Sequence, residues 1–398
     1  VITDRRGEPL AGSTPVISLW ANPLLLAGSE QLPALAGALD MELAELTQKL
    51  ARYKDKQFMY LQRHMVPAAA REVLALKIRG VSGEREYRRF YPAGEVVSQL
   101  LGFTNVDDEG IAGLELAYET WLRGIPGKKK YIKDLHGEVV RDIGVLVPAQ
   151  PGKNLTLSID LRLQYLQHRE LRKAVTAVGA ESGSVVTLDA HTGEILAMVN
   201  YPTYNPNSSK GADPASMRNR AVTDVYEPGS TMKTLTLVAA LESGRYTTST
   251  MIDTSPGRIR VGPKVYPDPR NYGLISVSRV IEKSSQVGVT KIALDLGHEP
   301  IREVFNRFGI GHTPGTGFPA ESAGSLPDRA RWYATEKVSL AFGYGISVTP
   351  LQLARAYSAF ANGGVQQPLS LLALEGRVAP GGRIVSPQIA QEVLSVLH

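Results

Sequence analysis

Beyond residue 150 the spacing of apolar positions changes period several times. Residues 154–159 read as a strand, and 161–175 carry the 3.6-residue period of a long helix. Residues 184–189 and 194–200 read as two strands. His191-Thr192-Gly193 joins them as a short turn, which predicts a hairpin. From Ser230 the chain runs through Leu235, Leu237, Val238, Ala239 and Leu241 to Gly244, apolar on nearly every side. That predicts a buried helix stopped by glycine. Val277, Val280 and Ile281, then Val287, Ile292 and Leu296, predict two further helices with a polar link over 283–288. Residues 386–397 read as a last helix begun by Pro387, with Ile389, Val393, Leu394 and Leu397 on its apolar face. A strand pair among long helices predicts an α+β fold, an antiparallel sheet covered by helices.

The first 150 residues are less regular. Residues 40–50 predict a helix with Asp40 as N-cap and Leu43, Leu46 and Leu50 on one face. Pro67 predicts the first turn of a second helix through Val73 and Leu74. Residues 57–62, 77–80, 85–91 and 130–135 read as short strands. The two prolines and the glycine of Pro148-Ala149-Gln150-Pro151-Gly152 interrupt any regular element, so the expected domains are 1–150 and 151–398. A length of 398 residues agrees with two or three domains. No fixed-period repeat is found.

Composition narrows the function. Apolar residues make up 43% and charged residues 21%, enough for a real core. The net charge of +5 is a mild bias that suits an anionic surface without requiring one. No Lys/Arg run is interleaved with aromatics, so nucleic acid is not an expected partner. The chain has no cysteine, which excludes disulfides, thiolate metal sites and thiol nucleophiles. No apolar run approaches the ~18 residues of a membrane span. The sequence opens directly on Val1-Ile2-Thr3-Asp4, so any membrane anchor is expected upstream.

Chemistry concentrates in Glu227-Pro228-Gly229-Ser230-Thr231-Met232-Lys233. Pro228-Gly229 breaks the preceding structure, and Ser230 and Lys233 then share a helix face at i and i+3. Ser230 Oγ and the Lys233 amine are therefore expected within hydrogen-bond reach. A serine hydroxyl is a weak nucleophile until a base takes its proton. Lysine serves as that base only when neutral, and burial and the positive end of a helix both favour the neutral form. The alternative is a serine N-cap followed by a solvated lysine. Further along, Ser284-Ser285-Gln286 sits between two apolar helices, positioned to point hydroxyls and an amide into a cleft. Its alternative is an interhelical turn that caps the second helix.

Together these two segments resemble the first two motifs of the penicillin-recognising serine enzymes, Ser-x-x-Lys and Ser-x-Asn. Thr3-Asp4-Arg5-Arg6-Gly7, Arg89-Phe90-Tyr91-Pro92, Leu101-Gly102-Phe103-Thr104-Asn105 and Gly110-Ile111-Ala112-Gly113-Leu114 resemble, in order, the pedestal of class B penicillin-binding proteins. Arg218-Asn219-Arg220-Ala221, Arg270-Asn271-Tyr272-Gly273 and Phe342-Gly343-Tyr344-Gly345 extend the likeness over nearly the whole chain. It is closest to the division-specific branch, that of penicillin-binding protein 3. The resemblance implies an elongated pedestal over 1–150 and a transpeptidase domain over 151–398. It implies Ser230 as nucleophile, Lys233 as its base and Ser284 as proton relay. Gln286 would bind the substrate's peptide amide, and Tyr344 would line the cleft. It also implies peptidoglycan stem peptides ending in D-Ala-D-Ala as substrate, β-lactams as inhibitors and no cofactor. Division proteins, including a membrane glycan polymerase, are the implied partners. The implied location is a single-pass inner-membrane anchor with this part in the periplasm.

Two departures stand out. Gln286 replaces the family's asparagine, and no Lys-Thr-Gly or Lys-Ser-Gly follows Ser284. The transpeptidase domain is therefore expected to be incomplete at His398, with on the order of a hundred residues still to come. The helices after Ser230 and Ser284 are expected to need a larger sheet to bury against. A D,D-carboxypeptidase, a β-lactamase or a non-catalytic wall-binding module are the competing readings. The seven histidines lack metal-ligand spacing, a Gly-x-Ser-x-Gly elbow is missing, and no carboxylate pair is singled out.

Overall fold

A computed structural model of the protein describes residues 1–133, 139–208 and 211–398. The first residues form β1 (Ile2–Thr3), and the long β2 (Pro9–Ala21) follows. Then come α1 (Leu43–Arg52), β3 (Met59–Met65), α2 (Pro67–Ala75) and β4 (Val81–Phe90). β2 pairs antiparallel with β4 from Gly12↔Phe90 to Ala21↔Val81, and with β3 from Ile17↔Met65 to Ala21↔Met59. Leu19, Leu26, Leu35, Leu46, Leu61 and Val73 fill the space between this sheet and its helices.

Three sequence expectations are corrected here. Asp40 does not cap α1. It has φ +52 and closes the preceding turn, so the helix starts after Glu42, whose side chain makes no capping bond. Residues 77–80 form no strand: the Lys77 N–H bonds back to Leu74 O with φ +49, a turn that ends α2. The strand expected over 154–159 shrinks to the two residues Leu155–Thr156. The strand expected over 130–135 is found as β5 (Lys128–Lys133), paired with β6 (Val139–Val147), and residues 134 and 135 lie outside the described residues.

The sheet connects the two halves of the chain. β1 pairs antiparallel with β2 and parallel with β7 (Leu155–Thr156). Asp160 caps α3 (Leu161–Val178), accepting the N–H groups of Arg162 and Leu163, and its other oxygen takes Arg6 Nε at 3.0 Å. Asp4 Oδ2 accepts the Leu161 N–H at 3.1 Å, and Arg5 reaches Glu194 at 3.3 Å. The Asp4-Arg5-Arg6 run is thus a clasp on the second half. One apolar cluster, including Ile2, Leu10, Tyr91, Leu114, Leu155, Met198, Leu351 and Leu371, crosses residue 150.

The hairpin expected over 184–200 is present as β8 (Gly183–Leu188) and β9 (Ile195–Tyr201). α4 (Lys233–Glu242), α5 (Val277–Glu282), α6 (Gln286–Leu296), α7 (His298–Arg307), α8 (Ala334–Ala341), α9 (Pro350–Ala361) and α10 (Pro387–Leu397) complete the second half. α4 does not bury against a larger sheet as expected. It is enclosed by α6, α7 and α10, through Leu237, Val238, Ile292, Phe305 and Val393. Among the described residues no helix is long and apolar enough to cross a membrane.

Beside the joint, two backbone segments cross at Gly102 (φ +73) and Gly113 (φ +58). A methyl group on Gly102 would lie 2.0 Å from Ala112 O, closer than packing permits. Gly102→Ala is therefore expected to cost at least ~2 kcal/mol, from left-handed strain and the backbone clash together. Denaturant titration of the two proteins checks this.

Candidate functional site

Gly229 adopts φ +60, and Gly229–Met232 form a 3₁₀ turn that runs directly into α4. Ser230 stands on this turn, exposed to solvent. Three bonds hold the turn, two of them from distant segments. The Gly229 N–H donates to Gly343 O at 3.2 Å, Thr231 Oγ1 donates to Pro228 O at 2.9 Å, and Tyr357 Oη donates to Thr231 O at 2.6 Å.

Lys233 begins α4 and points inward, with 3% of its surface exposed. Its Nζ donates to Ser284 O at 2.7 Å and to Ser284 Oγ at 3.0 Å, and it lies 5.1 Å from the centre of the Phe342 ring. The expected Ser230–Lys233 bond is not formed. Both donors that the structure resolves on the amine go to Ser284, and Ser230 Oγ has no partner among the described residues. Ser230 stands exposed on the turn, while Lys233 is buried at the start of α4. The amine turns to the stronger acceptor, a backbone carbonyl, because a buried ammonium must satisfy its donors. Burial pushes the Lys233 amine down to about 8, and the Asp268 carboxylate opposes that fall.

Ser284 sits between α5 and α6 with φ +51, a conformation that costs a non-glycine residue energy. It directs both its carbonyl and its hydroxyl at Lys233. Ser285 caps α6, accepting the Gly288 N–H at 2.9 Å, so the expected capping role belongs to Ser285 and not to Ser284. Gln286 is the first residue of α6 and is half-buried. It lines a cavity of about 590 Å³ together with Glu227, Lys264, Phe342 and Tyr344.

The far wall is the segment 342–349. Tyr226 and Val348 exchange both backbone bonds at 3.0 Å, and the Gly345 N–H donates to Glu227 Oε1 at 2.8 Å. This zipper leaves Tyr344 half exposed at the cavity mouth. Its hydroxyl is 3.9 Å from where a side chain on Gly229 would begin. Of the five residues expected from the sequence, Lys233 and Ser284 bond to each other, Gln286 and Tyr344 line the cavity, and Ser230 stands beside Gly229, bonded to neither pair. Sequence reasoning missed Asp268 and Tyr357. Asp268 lies in Pro267-Asp268-Pro269, which reads as a plain loop, and Tyr357 lies within an ordinary amphipathic helix.

What this arrangement offers is an exposed serine one turn from a lysine that loses its proton near neutrality. In protein labelled with ε-¹³C lysine, one resonance is expected to titrate with a midpoint of about 8, and Lys233→Met is expected to remove it. An NMR pH titration of both proteins reads this directly.

Comparison with known proteins gives the family. Residues 183–398 match the penicillin binding protein transpeptidase domain, and residues 1–157 match the penicillin-binding protein dimerisation domain. The chain is 41% identical to a probable peptidoglycan D,D-transpeptidase, PbpC of Pseudomonas aeruginosa, over all of this chain and 70% of that protein. It is likewise 41% identical to the peptidoglycan D,D-transpeptidase FtsI of Escherichia coli, over all of this chain and 68% of that protein. Among solved structures, penicillin binding protein 3 of Mycobacterium tuberculosis in complex with aztreonam superposes with a TM-score of 0.72 at 26% identity, covering 100% of this chain and 73% of that one. The chain belongs to the penicillin-binding proteins that join a dimerisation domain to a transpeptidase domain, the family of these peptidoglycan D,D-transpeptidases.

Proposed function

We infer that the protein is a serine D,D-transpeptidase that cross-links peptidoglycan stem peptides during septal wall synthesis, through an acyl-enzyme on Ser230. One observation carries the assignment of residues: a buried lysine with a pKa of about 8 begins the helix that the exposed Ser230 leads into. In this reading the neutral Lys233 amine takes the Ser230 Oγ proton as Oγ attacks the carbonyl of the penultimate D-alanine. The N–H of Ser230, near the start of the turn, stabilises the oxyanion. When the tetrahedral intermediate collapses, the proton passes from Lys233 through Ser284 Oγ to the leaving D-alanine amine. An amine of a neighbouring stem then attacks the ester carbonyl, and Ser230 recovers its proton. Gln286 holds the peptide amide of the stem, and Tyr344 borders the cleft.

Residues 1–150 serve as the pedestal and 151–398 as the transpeptidase unit. The partners in this reading are stem peptides ending in D-Ala-D-Ala, β-lactams, and division proteins that include a membrane glycan polymerase. The protein works in the periplasm, tethered to the inner membrane by an upstream anchor, and needs no cofactor.

Ser230→Ala is expected to abolish labelling by a fluorescent penicillin without lowering the melting temperature. Lys233→Ala is expected to slow acylation by at least ~10²-fold. The sign of the pH dependence follows from the base being neutral. Acylation rises with pH through a midpoint of about 8 and fades below it. A second expectation concerns Gln286. Gln286→Asn changes acylation modestly, whereas Gln286→Ala loses ~1–3 kcal/mol because an amide of the ligand is left unpaired. Stopped-flow acylation of the variants measures both, and undiminished labelling of Ser230→Ala would refute the assignment.

A further inference from the structure

Behind the Ser284 turn lies a carboxylate that the reaction as described does not use. Asp268 follows β12 (Lys264–Pro267, the partner of β11, Arg258–Val261, in a hairpin that comes after β10, Met251–Asp253) and is 8% exposed. Its own N–H donates to Gly257 O at 2.9 Å, which fixes its place. Oδ1 accepts the N–H groups of Gln286 at 2.6 Å and Val287 at 3.2 Å, and Oδ2 accepts Ser285 Oγ at 2.7 Å. These three donors belong to the N-terminus of α6, where backbone N–H groups have no intrahelical acceptor and an anion is favoured. A single carboxylate therefore gathers the cap and first turn of α6. The residue just before the cap is Ser284, held at φ +51 with its carbonyl and hydroxyl on the Lys233 amine.

We propose that Asp268 is a positioning residue for acyl transfer, whose buried carboxylate pins the 284–286 turn in the conformation that meets Lys233 and sets a fixed negative charge behind the lysine amine. This rests on the reading of Ser230, Lys233 and Ser284 as the reacting groups. Without the pin, the left-handed Ser284 keeps the bonds of its own N–H to Ile281 O at 2.9 Å and of the Ser285 N–H to Val280 O at 2.8 Å, but the cap and N–H groups that follow it lose their shared acceptor. The charge has its own effect. Phe342, from the segment after α8, and Ser284, from the α5–α6 link, face the amine and carry no charge. Asp268, from the end of β12, is the charged group acting on Lys233 among the described residues, and it favours the ammonium against burial. Burial wins, and the carboxylate limits by how much. The same group thus orders the proton relay and keeps the proton affinity of the lysine above what burial alone would leave.

The test is the pH profile of acylation by a fluorescent penicillin for the wild type, Asp268→Asn, Asp268→Glu and Ser285→Ala, each with its melting temperature. Asp268→Asn keeps the shape and loses the charge. Its plateau rate is expected to fall at least ~10-fold, and its midpoint is expected to move to lower pH. Asp268→Glu and Ser285→Ala keep the charge and disturb the pin, so their plateaus fall while their midpoints stay near that of the wild type. A wild-type plateau and midpoint in Asp268→Asn would overturn the proposal. So would a lost plateau and a lowered melting temperature with the midpoint unmoved, since that pattern marks general structural support. Should Asp268→Asn fail to fold, wild-type plateaus in the other two variants would overturn it as well. Failure of the underlying reading shows separately, as a wild-type profile without a limb that Lys233→Ala removes.

Discussion

The site depends on one contact, the Lys233 amine held by the carbonyl and the hydroxyl of Ser284. A lysine in a dry interior is costly as a cation, and the protein resolves this by lowering its proton affinity and giving its hydrogens acceptors. Each neighbouring feature serves one of those needs. α4 is buried from Lys233 to Leu241, and α6, α7 and α10 close around it and keep water from the amine. Ser284 takes an unfavourable backbone angle and places both its carbonyl and its hydroxyl on that nitrogen. Ser230 is left outside this network, exposed to solvent.

The rest of the cleft is built by backbone, which makes it precise. Tyr226 and Val348 exchange bonds as in a sheet, Glu227 accepts the Gly345 N–H, and the Gly229 N–H donates to Gly343 O. The strand of chain that carries Ser230 and the strand that carries Tyr344 are thus registered to each other residue by residue. The clasp of Asp4, Arg5 and Arg6 on α3 and Glu194, with the shared apolar cluster beneath it, ties the first half to the second. A polar joint alone would leave the halves free to move, whereas an apolar core running across the joint favours a fixed angle.

What the sequence revealed follows the strength of each physical signal. The helix after Ser230 and the hairpin over 183–201 were legible because burial on all sides, or strict pairing about a glycine turn, leaves few alternatives. β2 was not, since Gly12, Ser13, Thr14 and Pro15 interrupt its alternation, and its partner β4 supplies the order that its own residues do not. The spacing of Ser230 and Lys233 predicted a shared face but not the choice the amine makes. That choice is decided by a carbonyl 51 residues away in the chain. Asp268 was invisible for a related reason. Its function lies wholly in contacts with residues 285–287, and a lone acid between two prolines looks like any loop.

The glutamine at position 286 shows how these constraints combine. As the first residue of α6, its Cα is fixed by the helix, and its N–H is already committed to Asp268 at 2.6 Å. Only the side chain is left to address a ligand. A glutamine carries the same amide as an asparagine but one methylene further out. With the backbone pinned, that extra length has to be taken up on the cavity side, toward Tyr344 and Lys264, which line the same space. The Asp268 carboxylate that holds the first turn of α6 therefore also prevents the backbone from retreating to accommodate the longer side chain. A peptide amide that meets Gln286 must sit deeper in the cavity, or the side chain must fold back on itself at the expense of its rotamer freedom.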